Sequence, residues 1–248
     1  MSKSALIGAN MEKVTVVTGA SKGLGKAIAL SLANEGYKVV VHYKDSVSDA
    51  KLVAGEIDKI SESFVIGADL TSEEEVEAMI SKVLKKFGHI DVLVNNVGNF
   101  LYKKFQETSN GEFRDVIESN IYSTLFCSRF TLKQMRKQKS GHIVNVGAVG
   151  AERFTLRENS VPYFLAKNGV YVLTKTMAWE EARNGIHVNM VSPASMKTDI
   201  FGKNDFPMGR ETQYQDVVDA VLFLISKKAY YINGANIEVS GAFIPGMI

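Results

Sequence analysis

The chain has 248 residues, 46% of them hydrophobic and 23% charged, the balance of a globular protein with a large core, and this excludes a disordered chain. A net charge of +2 gives no reason to expect nucleic-acid binding, and the lone cysteine, Cys127, excludes an internal disulfide. No Cys/His cluster has the spacing of a metal site, no apolar run approaches the roughly 18 residues of a membrane span, and Met1 to Met11 lacks the apolar core of a signal peptide.

Along the chain, Val14-Thr15-Val16-Val17 reads as a buried strand, followed by a glycine cluster and a helix that stops at Gly36. Val39-Val40-Val41 is a second strand, a polar helix spans about 47–60, and Phe64-Val65-Ile66 is a third strand. Thr71-Ser72-Glu73-Glu74 opens a helix with a hydroxyl cap and acids, and that helix stops at Gly88. Strands follow at Ile90 to Val94, His142 to Val146, Ile186 to Val191 and Ile237 to Val239, with helical pattern over 111–138, 162–184 and 214–228. Seven apolar strands alternating with helices predict an α/β fold, a doubly wound parallel sheet of the Rossmann type with helices on both faces. One domain is expected over 1–248, with a long irregular loop at about 193–213, a length that usually marks a functional or mobile segment.

The glycine cluster carries the first chemical signal. Gly19, Gly23 and Gly25 lie between the first strand and the first helix, within Thr18-Gly19-Ala20-Ser21-Lys22-Gly23-Leu24-Gly25. A tight turn there needs positive φ, and a diphosphate needs backbone without a Cβ in its path. The helix that follows offers unpaired N–H groups and its positive end to an anion. A merely structural turn would account for one glycine, not for three.

The end of the second strand bears on which dinucleotide is bound. NAD sites usually place an acid there to accept from the ribose hydroxyl, whereas this chain reads His42-Tyr43-Lys44 and has no carboxylate before Asp45. Lys22 and Lys44 on their own are two ordinary surface lysines. Together with the missing acid they predict NADP(H).

Tyr163 and Lys167 are four residues apart and share one helix face. A phenol has an ordinary pKa of about 10, and a nearby ammonium favours its charged form, so proton transfer to a carbonyl oxygen becomes feasible. The pair begins the helix after the fifth strand, where a doubly wound sheet opens its ligand crevice.

The glycine loop, Asp69-Leu70, Asn95-Asn96-Val97-Gly98, Asn120 and the Tyr163/Lys167 pair, in that order, resemble the short-chain dehydrogenase/reductases over about 14–243. The resemblance implies that Gly19, Ser21, Lys22, Gly23, Leu24 and Gly25 bind the cofactor, together with Lys44, Asp69, Leu70, Asn96, Gly98, Tyr163, Lys167 and Thr198. Asp69 would receive the adenine amino group, Asn96 would lie against the adenosine ribose, and Thr198 would contact the nicotinamide carboxamide. Tyr163 would be the acid, Lys167 would hold the nicotinamide ribose, and Asn120 would anchor a water for the proton relay. Without the family, Asn120 is a polar residue bonded inside its own helix. Within the family, the chain looks most like the 3-oxoacyl-acyl carrier protein reductases, on its length, the segment Val39 to Tyr43 and the ending Ile237 to Gly241.

The pattern also departs from the family. Where a catalytic serine is expected after the fifth strand, the chain has Ala148, and losing one oxyanion donor costs about 2.7–4 kcal/mol. Ser160 and Thr155 are candidate replacements, although the plainer expectation is that neither serves. Ala194 stands where glycine usually follows the proline, and Ser240-Gly241-Ala242 where Asp-Gly-Gly is common.

The expected activity is reduction of a carbonyl to an alcohol by NADPH, with a 3-oxoacyl thioester as leading substrate. Another carbonyl or a pterin is the second reading, and a weakly catalytic dinucleotide-binding protein the third. The cations Lys133, Arg136, Lys137 and Lys139 would dock an acyl carrier protein or a coenzyme A phosphate, or simply complement a helix end, which is the plainer expectation. The resemblance implies a homotetramer or homodimer, and the composition a cytoplasmic protein.

Overall fold

The computed structural model describes residues 12–153, 158–196 and 200–243. Its strands are β1 (Val14–Val17), β2 (Lys38–Tyr43), β3 (Ser63–Gly67), β4 (Val92–Asn95), β5 (Gly141–Val146), β6 (Ile186–Pro193) and β7 (Asn236–Val239). They form one all-parallel sheet in the order β3-β2-β1-β4-β5-β6-β7. Its β-branched runs are buried on both faces, as a covered parallel sheet requires.

Among the described residues, seven α-helices flank the sheet: α1 (Gly23–Asn34), α2 (Val47–Ile57), α3 (Glu73–Phe87), α4 (Asn110–Ile117), α5 (Ser123–Gln138), α6 (Val161–Glu181) and α7 (Tyr214–Leu224). Alternation along the strands sorts the core. Val17, Val39 and Val41 pack with Ile28 and Leu32 of α1, Val53 of α2 and Val217 of α7. Val14, Val16 and Val40 pack with Val76 and Met79 of α3, Phe130 of α5 and Met177 of α6. α3 shows why its segment is helical: Ser72 Oγ caps the Glu75 amide, three acids fill the first turn, Lys85 and Lys86 the last, and Gly88 ends it at φ +81°.

The helix expected over 111–138 is interrupted. A π-turn at Glu118–Tyr122 separates α4 from α5, and π-turns inside helices recur at functional sites. The cationic run at the end of α5 lies at the edge where β5 begins, opposite the crevice. Arg136 Nε binds Glu181 at 2.9 Å and Lys139 Nζ binds Asn184 at 3.0 Å, so these two cations fasten the helix end.

No helix among the described residues is long and apolar enough to cross a membrane. α6 leaves Leu165, Val172 and Trp179 exposed at seven-residue intervals, Trp179 at 86%, a single apolar stripe along its outer face. Phe201 and Phe206, from the irregular stretch after β6, meet Phe243 in a ring cluster. Gly241 and Ala242 both take positive φ, +55° and +66°; the alanine is strained by about 1–2 kcal/mol at a position that favours glycine.

Candidate active site

Strand order reverses direction between β1 and β4, and the crevice outside their C-terminal ends is where such sheets bind ligands. The loop after β1 is clamped from both sides. Asn96 N and Val97 N, from the end of β4, donate to Thr18 Oγ1 at 2.8 and 3.2 Å, and Asn96 Nδ2 donates to Thr18 O at 3.0 Å. From β2, His42 Nδ1 accepts from Gly19 N at 3.0 Å and His42 O accepts from Ala20 N at 2.9 Å.

Gly19 and Gly23 adopt φ of +62° and +57°, and a Cβ on Gly25 would lie 2.2 Å from Gly19 O. α1 begins with Lys22 in extended conformation, no side-chain cap and no acid in its first turn. Its first amides are therefore left for an external anion. Ser21 and Leu24 are buried in the same loop. A backbone cradle without Cβ atoms, ending on an uncapped helix, fits a dinucleotide diphosphate.

Two expected cofactor contacts are engaged with each other. Lys44 Nζ lies 2.7 Å from Asp69 Oδ2, so Lys44 is not a free cation waiting for a phosphate. Thr71 donates to the Asp69 carboxylate through its amide at 2.9 Å and its hydroxyl at 2.7 Å. Burial pushes the Asp69 pKa up, but Lys44 and these donors outweigh it and hold the group at about 2. Leu70 beside it is buried. Asn96 turns its amide onto the glycine loop, where it holds backbone in place.

Asn120 sits in the π-turn. Its Nδ2 donates to Asn99 O at 3.0 Å and to Val116 O at 2.9 Å, and its buried Oδ1 has no partner among the described residues. A bond to its own helix was the plainer expectation, and the bond to Asn99 adds a tie to the loop after β4. A Cβ on Gly98 would fall 2.1 Å from that Oδ1, which explains the glycine.

Tyr163 and Lys167 share the first turns of α6. The Lys167 side chain is buried at 3% exposure and donates to Val146 O at 2.8 Å, with Nζ 5.5 Å from the centre of the Tyr163 ring. Burial pulls the Lys167 pKa down to about 8 and pushes the Tyr163 phenol above its ordinary value. The expected lowering of the phenol is not the balance found here, because the ammonium spends its bond on a carbonyl and burial dominates. Phe100 packs edge-on to Tyr163 at 4.9 Å and stays 54% exposed.

Ala148 is buried two residues past β5. Ser160 is the N-cap position of α6, buried, and its side chain makes no capping bond. Thr155 and Thr198 lie outside the described residues. Two features were missed in the sequence: the role of His42, and the aromatic pair Phe100 and Tyr102 beside the phenol. The second had a signal, the apolar run Phe100-Leu101-Tyr102 one residue past Asn95-Asn96-Val97-Gly98.

Together, the parallel sheet, the Cβ-free cradle and the Tyr/Lys helix define an oxidoreductase of CH–OH and C=O groups that uses a nicotinamide dinucleotide. The family model described as enoyl-(acyl carrier protein) reductase matches residues 19–243, and the chain belongs to the short-chain dehydrogenase/reductase family. It is 39% identical over 246 residues to the 3-oxoacyl-[acyl-carrier-protein] reductase of Staphylococcus aureus, covering 93% of this chain and 98% of that one. The 3-oxoacyl-[acyl-carrier-protein] reductase of Synechocystis is 35% identical over 241 residues, covering 94% and 97%. The crystal structure of acetoin dehydrogenase YohF from Salmonella typhimurium superposes with a TM-score of 0.86 at 27% identity, covering 94% of this chain and 96% of that one.

Proposed function

We propose that the protein is an NADPH-dependent reductase of a 3-oxoacyl thioester, working as one dinucleotide-binding domain. The observation that carries this is the buried Lys167 beside Tyr163, bonded to the end of β5 in a sheet whose β1 ends in the glycine loop, and the names of the two acyl-carrier-protein reductases support the substrate class. The glycine loop, Asp69, Asn96 and Lys167 would hold the dinucleotide, and Lys22 with Lys44 would favour a 2′-phosphate, Lys44 by leaving Asp69. A bound dinucleotide supplies the hydride. Tyr163 gives its hydroxyl proton to the carbonyl oxygen, Lys167 holds the ribose side of the pocket, and Asn120 anchors a water that refills the proton. Thr198, outside the described residues, would contact the carboxamide end, as the family resemblance implies.

The test is oxidation of NADPH with acetoacetyl-CoA beside a panel of ketones, quinones and pterins. Turnover of the thioester with a higher kcat/KM for NADPH than NADH is the expected result. Equal values for the two nucleotides would overturn the Lys22/Lys44 argument, and an inert panel with intact nucleotide binding would overturn the reductase. A ring carbonyl or pterin is a second reading, favoured by the exposed Phe100 ring against Tyr163, and the same panel separates it from the first.

Ala148 stands where the family carries a serine that orients the reacting oxygen. Ala148→Ser is expected to raise kcat by on the order of tenfold or more, since one such donor is worth about 10²–10³. A rate unchanged within a few-fold would mean that another hydroxyl, such as that of Ser160, already serves. We also expect a cytoplasmic homotetramer or homodimer with the Leu165/Val172/Trp179 stripe buried between copies, which the mass in solution of the wild type and of Trp179→Asp checks.

A further inference from the structure

His42 is the most enclosed histidine of the molecule's upper edge, 1% exposed at the end of β2, and nothing in the proton relay uses it. Its two ring nitrogens have different partners. Nδ1 faces the Gly19 amide at 3.0 Å and must accept; Nε2 lies 3.0 Å from Ala68 O and must donate. Those partners assign one tautomer, neutral with the proton on Nε2. The ring thus ties three segments together: the glycine loop, the end of β2, and the residue before Asp69.

We propose that His42 is a positioning residue of the dinucleotide site, whose neutral ring holds the Gly19 amide and so keeps the phosphate cradle in its binding shape. The proposal rests on the dinucleotide reading of that loop. Gly19 needs the anchor because its φ of +62° is a turn that no strand or helix maintains, and its carbonyl is the atom against which Gly25 packs. An imidazolium would present a proton from Nδ1 to the Gly19 N–H, two donors face to face in a buried place, and the anchor would be lost.

The cradle is therefore sensitive to acid, and the sign follows from burial. Desolvation lowers the His42 pKa below its ordinary value, opposed by the Ala68 carbonyl and by the Asp69 carboxylate. Asp69 is itself paired to Lys44, its amide donates to the Glu75 carboxylate near the start of α3, and Lys22 stands in the glycine loop that the ring anchors. Below about pH 6.5 an unfolded chain takes a proton at this position and the folded ring resists it. Stability at this group is therefore held at neutral pH and falls as pH is lowered through the unfolded value.

The experiment measures NADP⁺ binding by calorimetry to the full chain at pH 8 and thermal melting at pH 8 and pH 5.5, for wild type, His42→Asn, His42→Gln and His42→Leu, together with hydrogen exchange of the Gly19 amide in the free protein. An asparagine carbonyl falls near Nδ1 and cannot titrate, a glutamine amide reaches toward Ala68 instead, and leucine fills space only. Asn is expected to bind within about threefold of wild type at pH 8 and to lose less melting temperature than wild type on going to pH 5.5, with Gly19 still protected. Gln and Leu are expected to weaken binding on the order of tenfold and to expose Gly19 to exchange.

A packing role would reverse the order, with Leu near wild type and Asn the weakest, and that result overturns the proposal. The Asn and Gln pair decides the matter even if Leu fails to fold. Wild type that binds no nicotinamide dinucleotide, with Gly19 protected as expected, overturns the dinucleotide reading instead.

Discussion

Tyr163→Phe is expected to lower kcat by about 10²–10⁴ while dinucleotide affinity stays within a few-fold. The substitution removes one oxygen and keeps the ring, so the edge contacts to Phe100 at 4.9 Å and Phe164 at 5.5 Å survive. What is lost is the hydroxyl proposed as proton donor, and a positioned acid contributes about that factor. Burial holds the phenol protonated through the neutral range, which suits a donor and not a base. Its neighbour sets the alkaline limit. Lys167 is pulled down to about 8, so its charge is present below that pH and lost above it, and kcat/KM is expected to fall as pH rises through about 8. Stopped-assay kinetics from pH 6 to 10 read both effects. Full activity in Tyr163→Phe would remove Tyr163 as the acid, and a flat alkaline profile would remove the Lys167 ammonium from the rate.

Gly25→Ala is expected to abolish useful dinucleotide binding, at least tenfold weaker, and to lower the melting temperature. The added carbon would stand 2.2 Å from Gly19 O and 2.7 Å from Asn96 Nδ2. Gly19 cannot retreat, because His42 holds its amide and Asn96 closes on the same turn. Overpacking of this kind costs about 1–3 kcal/mol, or roughly 2–4 °C per kcal/mol in a chain of this size. Gly55→Ala is the control: it lies exposed in α2 with nothing within 4 Å of the new carbon, and the gain in helix propensity stabilises by about 0.8–1 kcal/mol. Calorimetry with NADP⁺ and thermal melts compare the two, and a Gly25→Ala protein that binds normally would contradict the cradle geometry.

Much of the fold was legible because its signals are local. The Val runs of β1 and β2 can bury only as central strands, and α3 announces itself through Ser72, its acids and Gly88. The break at Glu118–Tyr122 carries no such mark. It arises where Asn120 reaches across to Asn99, a contact between residues 21 apart, and local pattern says nothing about such a bond. The candidate site divides in the same way. Tyr163 and Lys167 were visible because four residues on a helix place two side chains on one face, whereas the Lys44–Asp69 pair joins the ends of two strands and was read as two separate cofactor contacts.

The sequence by itself determined the class of fold, the glycine loop after the first strand and the helix that pairs Tyr163 with Lys167, because each depends on spacing within a few residues and on what glycine, valine and serine do locally. Only the tertiary structure decided the balance of charge at the site. Burial raised the Tyr163 phenol and lowered Lys167, Asp69 claimed Lys44, and His42 became a neutral anchor for Gly19. Those outcomes depend on how much water is excluded and on which groups from distant segments meet. Both are properties of the packed chain, not of any segment within it.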